Sequence, residues 1–225
     1  MTRRTNARLA GFAFLFYIAA GITQLVLEGA TSADQVAARF ARIAEHATRV
    51  RVSIVLSLVI CLTALVLAVA LYAITRDVDR DLAVLALCCR VGEALLILFA
   101  AMATLGLLWL STAGAGTDAP DRAAAGALGL FLLKAGGWNT ILTATLFSVG
   151  STIFSWLLLR GRLIPVPLAW LGVVASLLLV AGLPLRLVGV LGDTIAQILW
   201  LPMAAFEIPL GVWLLVKGVP APAPR

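Results

Sequence analysis

The sequence predicts an all-α fold: a six-helix transmembrane bundle with one extramembrane amphipathic helix between its first and second spans. Three observations carry that expectation. Of the 225 residues, 62% are hydrophobic and only 12% charged, whereas an ordinary soluble domain is about half apolar and a quarter charged; the mean hydropathy is +1.07. The apolar residues gather into six runs, each close to or above the ~20 residues that cross the hydrocarbon core as a helix. These runs are continuous, whereas the strands of a membrane barrel are short and alternate in hydropathy.

The first run, roughly 9 to 27, follows Arg3, Arg4 and Arg8. A basic start with "YIAAG" beyond it also fits a cleavable signal, but the apolar stretch continues through Gly21 to Leu27, which favours a retained helix. In the connection after it, Ser32 and Gln35 stand at capping-box spacing. Val36, Phe40, Ile43 and Ala47 then recur at helical spacing, with Arg39, Arg42 and Glu45 off that stripe, as in a helix lying on the membrane or capping the bundle. The second and third runs cover roughly 52 to 74 and 82 to 110; the third is longer than a perpendicular span requires, so it tilts or projects.

A Gly/Pro-bearing loop and an apolar stretch of about ten residues precede the fourth run, roughly 138 to 159. That stretch is too short to span alone, so it extends the fourth helix or lies at the interface. The fifth and sixth runs are roughly 168 to 190 and 195 to 216. Residues 1–219 read as one integral membrane domain, and 220–225 as a Pro-rich tail.

Lysine and arginine in the connections set orientation. With the N-terminus inside, the cytoplasmic side holds nine and the other side seven, which places both termini in the cytoplasm. The net charge of +6 is thus a membrane signature, and nucleic acid is not an expected partner. Cys61, Cys88 and Cys89 have no metal-ligand spacing and read as small packing residues. The one histidine, His46, lies in a connection as a surface residue. No phosphate loop, zinc motif, nucleophile elbow or dinucleotide glycine pattern occurs, so neither a cofactor, a metal site nor a catalytic residue is expected.

Small and polar residues at helical spacing mark the faces that pack inward. They are Tyr17, Gly21, Gln24 and Glu28 in the first run, and Ser53, Ser57, Cys61, Ala64, Ala68 and Tyr72 in the second. The fourth carries Asn139, Thr143, Ser148, Ser151 or Thr152, and Ser155; the sixth carries Asp193, Gln197, Trp200, Ala204, Glu207 and Gly211. Three full charges are harder to accommodate: Arg90 and Glu93 in "LCCRVGEALLILFA" and Glu207 between Pro202 and Pro209. Each costs about 2.5–3.5 kcal/mol at mid-membrane and must face a bundle interior or a wet cavity. Counted from the cytoplasmic run ends, all three lie about 12–17 Å deep at 1.5 Å per residue. An arginine can fork to two carboxylates, so one expectation is a cluster tying the third helix to the sixth. The other is a polar cavity for a small or lipid-like ligand.

Across nearly the whole chain, "ARLAGFAFLFYIAAGI" at 7 to 22, "CRVGEALLI" at 89 to 97, "LLLRGRLIPVPLAWLGVV" at 157 to 174 and "EIPLGVWLLVKGV" at 207 to 219 resemble the bacterial domain-of-unknown-function 4386 family. The resemblance implies a six-helix inner-membrane protein, with Arg90, Glu93, Glu207 and Trp213 at positions where members carry such residues. Where similar sequences often place a basic residue after the first proline of the loop before the fifth helix, Val166 and Pro167 stand here. The expected function is a membrane protein that binds or moves a small or lipid-like molecule near Arg90, Glu93 and Glu207. The alternative is a non-catalytic structural or regulatory membrane subunit.

Overall fold

The computed structural model describes residues 2–29, 35–113 and 121–220. They form α1 (Arg3–Gly29), α2 (Val36–Glu45), α3 (Ala47–Thr75), α4 (Arg80–Thr112), α5 (Arg122–Arg160), α6 (Val166–Leu187), α7 (Asp193–Ile198) and α8 (Trp200–Val216), with no strand among them. Six helices are long and apolar enough to cross a membrane, α7 and α8 together counting as the sixth. The chain is a multi-pass membrane protein. Its lipid-facing girdle includes Leu25, Leu62, Met102 and Leu201, all largely exposed.

The ends of the helices follow from local chemistry. Asp79 caps α4 by accepting from the Leu82 N–H at 3.2 Å, and Asp121 caps α5 by accepting from the Ala124 N–H at 2.7 Å; each satisfies one of the first-turn donors that a helix leaves open. Proline in the first turn starts α6, where its missing N–H has no cost.

Three boundaries differ from the sequence expectation. The apolar stretch before the fourth run is helical, giving α5 39 residues, a length of about 58 Å at the usual rise. The fifth helix ends at Leu187 rather than near 190, and a turn through Gly189 at φ +77° follows it. The sixth run is broken at Leu199. Three residues on, Pro202 has no N–H for the Ile198 carbonyl and its ring crowds that carbonyl, which is where the helix re-aims. Gln197 and Ala204 are therefore exposed, although they share the predicted stripe with the buried Glu207 and Gly211.

The six spans form a closed ring in chain order: α1 packs on α3, α3 on α4, α4 on α5, α5 on α6, α6 on α8, and α8 on α1. Ring closure depends on glycine. A Cβ at Gly11 of α1 would collide with the backbone of Gly211 and Leu215 in α8, so these two helices touch backbone to backbone.

The start of α1 and the end of α8 lie at one end of the ring. There Arg3 donates to the Ile74 carbonyl at 2.8 Å, Arg160 pairs with Asp79 at 3.2 Å, and Gly218 sits against Arg4 and Ala7. This half is solid, its core built from fully buried residues such as Ala7, Ala10, Leu67, Ile74, Leu157 and Leu214. At the other end α2 packs on α4 and α5 through a separate small core of Ile43, Val50, Ile54, Leu107 and Leu108. The Phe40 ring fills the space over Gly129. The helix thus caps the bundle. Gln35 is its N-cap; the paired Ser32 of the predicted capping box lies outside the described residues, as do Arg225 and the rest of the tail from 221. Cys61 is buried, but Cys88 is exposed on the lipid side and is not a packing residue.

Candidate functional site

Glu93 sits mid-way along α4, 1% exposed. Its Oε1 accepts a hydrogen bond from the Tyr17 hydroxyl of α1 at 2.8 Å. Its Oε2 lies 2.9 Å from Arg90 Nη1, close enough for an ion pair but without hydrogen-bond alignment, since neither atom has a hydrogen-bond partner. The i, i+3 spacing puts both side chains on one face of α4. Arg90, 2% exposed, completes its surroundings with two rings: its guanidinium carbon lies 4.8 Å from the centroid of Phe147 on α5 and 5.7 Å from that of Tyr17. At such distances the ring faces contribute cation–π attraction. Gly150 of α5 lets this arrangement fit, because a Cβ there would stand 3.2 Å from the Arg90 side chain.

Glu207 of α8 is equally enclosed, at 8% exposed, yet it has neither hydrogen bond nor ion pair among the described residues. The expected fork from Arg90 to both carboxylates is absent. α4 and α8 stand opposite one another in the ring and do not touch, so a side chain three residues from Glu93 serves its own helix and leaves the far carboxylate across the lumen.

What lies between them is a cavity of about 380 Å³. Glu93 and Glu207 both line it, with Tyr17, Gly21, Gln24 and Glu28 from α1, Ser57 from α3, Asn139, Thr143 and Phe147 from α5, and Trp200 at the start of α8. Arg90 does not line it; it faces a much smaller void beside Ser151, Ser155 and Phe206. The wall is braced by polar bonds between helices: Gln24 Nε2 donates to Ser57 Oγ at 3.0 Å, and Asn139 Nδ2 donates to the Leu96 carbonyl of α4 at 3.0 Å. A second cavity of about 330 Å³ lies toward α2 and shares Glu28, Ala100 and Thr140 with the first. Arg39 lines it, which turns inward a residue that the sequence places off the apolar stripe.

The three residues singled out from sequence thus fall into two kinds of place. Glu93 and Glu207 face the lumen and Arg90 is sealed behind aromatic rings. Sequence reasoning placed Trp200 on the inward stripe of the sixth run but missed Phe147, whose ring lies 5.7 Å from that of Trp200 on the cavity wall. It also missed Tyr17 as the partner of Glu93, although Tyr17 begins the polar stripe of α1 and its hydroxyl had to find a partner in lipid. Among the described residues no group of three or more His, Cys, Asp or Glu gathers as a metal site. His46 sits half-buried at the junction of α2 and α3, away from the cavity.

Residues 9–218 match the family described as Domain of unknown function (DUF4386). No curated protein and no solved structure matches the chain.

Proposed function

The chain belongs to the DUF4386 family, whose description assigns no activity, and from the geometry of its own site we propose that it binds a small or lipid-like molecule in the ring lumen between Glu93 and Glu207. One observation carries this reading: Glu207 is enclosed, faces a cavity and has neither hydrogen bond nor ion pair among the described residues. A buried ionisable group in a membrane helix is ordinarily paired, so a carboxyl group with no partner at the wall of a 380 Å³ void awaits a guest. The size falls within the usual range of small-molecule sites, about 300–1,000 Å³. The break at Leu199 and Pro209 within α8 support the same reading, because irregular backbone at membrane depth is tolerated where it lines a cavity.

The protein sits in the bacterial plasma (inner) membrane with both termini in the cytoplasm. The excess of lysine and arginine on that side supports this orientation, and the cavity then occupies the outer half of the membrane.

Native mass spectrometry of the purified protein tests the binding reading. The wild type carries a co-purified small amphiphile, and a Glu207→Gln variant with an unchanged melting temperature has lost it. No adduct on a well-folded wild type, with no saturable binding of added amphiphiles, would leave the structural or regulatory subunit as the reading.

A further inference from the structure

We propose that the guest is an organic cation with an apolar chain, a protonated alkylamine in its simplest form, which reaches Glu207 sideways from the hydrocarbon layer through a gap between α1 and the α7–α8 segment. This rests on the lumen being a binding site, as argued above, and adds the charge of the ligand and its route.

The charge follows from what the lumen displays. Arg90 is paired with Glu93 at 2.9 Å and covered by the rings of Tyr17 and Phe147, so no ligand anion reaches it. Glu93 is engaged by both Arg90 and the Tyr17 hydroxyl. Glu28, which also lines the void, accepts from Gln24 at 2.8 Å; Glu207 remains, an acceptor with no hydrogen-bond donor among the described residues. In a medium of low dielectric a carboxylate attracts a counter-charge strongly and is costly without one. A cation also suits the remaining surface, because the aromatic side chains of Tyr17, Phe147 and Trp200 line the same void, and ammonium groups are attracted to aromatic rings.

The route follows from which helices touch. α1 meets α8 in the half that holds the termini, at Gly11, Gly211 and Leu215. In the other half, α7 packs on α6 and α8 and not on α1. The cavity is bounded there by Gly21 and Leu25 of α1 and by Trp200. Gly21, Leu25 and Trp200 are all exposed, and the neighbouring Ile22 and Val26 are exposed and apolar. A gap edged by such residues opens onto lipid chains. An amphiphile dissolved in the bilayer can therefore slide its head inward to Glu207 while its chain stays among apolar side chains.

The test uses the full chain in detergent micelles, titrated with decylammonium chloride, decanol, decanoate and butylammonium chloride, with melting temperature and tryptophan fluorescence as readouts. Wild type is expected to bind decylammonium saturably and about tenfold or more tightly than decanol, the change that 1.4 kcal/mol makes, and to ignore decanoate. Glu207→Gln should abolish the preference for amine over alcohol while keeping the wild-type melting temperature. The decanol comparison on the wild type tests the charge even if that variant folds poorly. Equal binding of decanol, or better binding of decanoate, overturns the cation while leaving a lumenal site intact. Butylammonium binding as tightly as decylammonium overturns the lipid-side route and points to a free amine from water. No saturable binding of any probe to folded protein overturns the lumenal site as well.

Discussion

At the scale of single residues, Arg90 and Glu207 are both buried charges, yet their removal should have opposite consequences. Arg90 compensates Glu93 and packs on two rings. Arg90→Ala leaves Glu93 enclosed without its cation, a change that costs about 3–5 kcal/mol when a buried pair is broken. Adding Glu93→Gln to Arg90→Ala removes the orphaned charge and should recover part of the loss, so thermal melts of wild type, both single variants and the double variant measure the coupling. Glu207 has no such partner to abandon. Glu207→Gln is expected to melt within a degree or two of wild type, and a large fall would mean that Glu207 holds a structural contact.

At the scale of helices, the seam between α1 and α8 is the vulnerable element, because its contact is between backbones. Gly11→Ala places a methyl group against the backbone of Gly211 and Leu215, atoms that cannot rotate away as a flexible side chain could. Overpacking of this kind costs roughly 1–3 kcal/mol or more. Gly21→Ala on the same helix is the control: a Cβ there meets nothing within 4 Å, so its melt should match wild type, and equal destabilisation by both would refute the seam. The seam was not legible in the sequence, since "small residue" and "backbone contact" look alike until the facing helix is known. What could be read were properties internal to one helix. The stripe of Tyr17, Gly21, Gln24 and Glu28 was found by spacing alone, and all four line the cavity. Properties that depend on a neighbour were hidden: nothing in the spacing singles out Phe147, and only the position of α4 beside α5 sets its ring against Arg90. The supposed fork to Glu207 failed for the same reason, because equal depth in the membrane does not say which helices are adjacent.

At the scale of the whole molecule, the ring is asymmetric along its axis, and that asymmetry makes orientation measurable. The half with the termini is closely packed, with a small void beside Ser155, whereas the other half holds two adjoining cavities beneath α2. Thr140 lines both cavities and Gln24 lines the lower one, while Ser155 lies within the solid half, 1% exposed. In a background in which Cys61, Cys88 and Cys89 are replaced by alanine, Gln24→Cys and Thr140→Cys should react with a membrane-impermeant maleimide added to intact cells, and Ser155→Cys should not. A fluorescent-protein fusion at the C-terminus should glow, as it does in the cytoplasm. Labelling of Thr140→Cys only in inverted vesicles would reverse the orientation and place the cavity's mouth in the cytoplasm. Labelling of Ser155→Cys from either side would show that the lower half opens, converting a one-sided binding chamber into a passage. Adding decylammonium to the reaction joins this test to the ligand: occupancy of the lumen should slow labelling at Gln24→Cys, and loss of that protection in Glu207→Gln would assign the head group to its carboxylate.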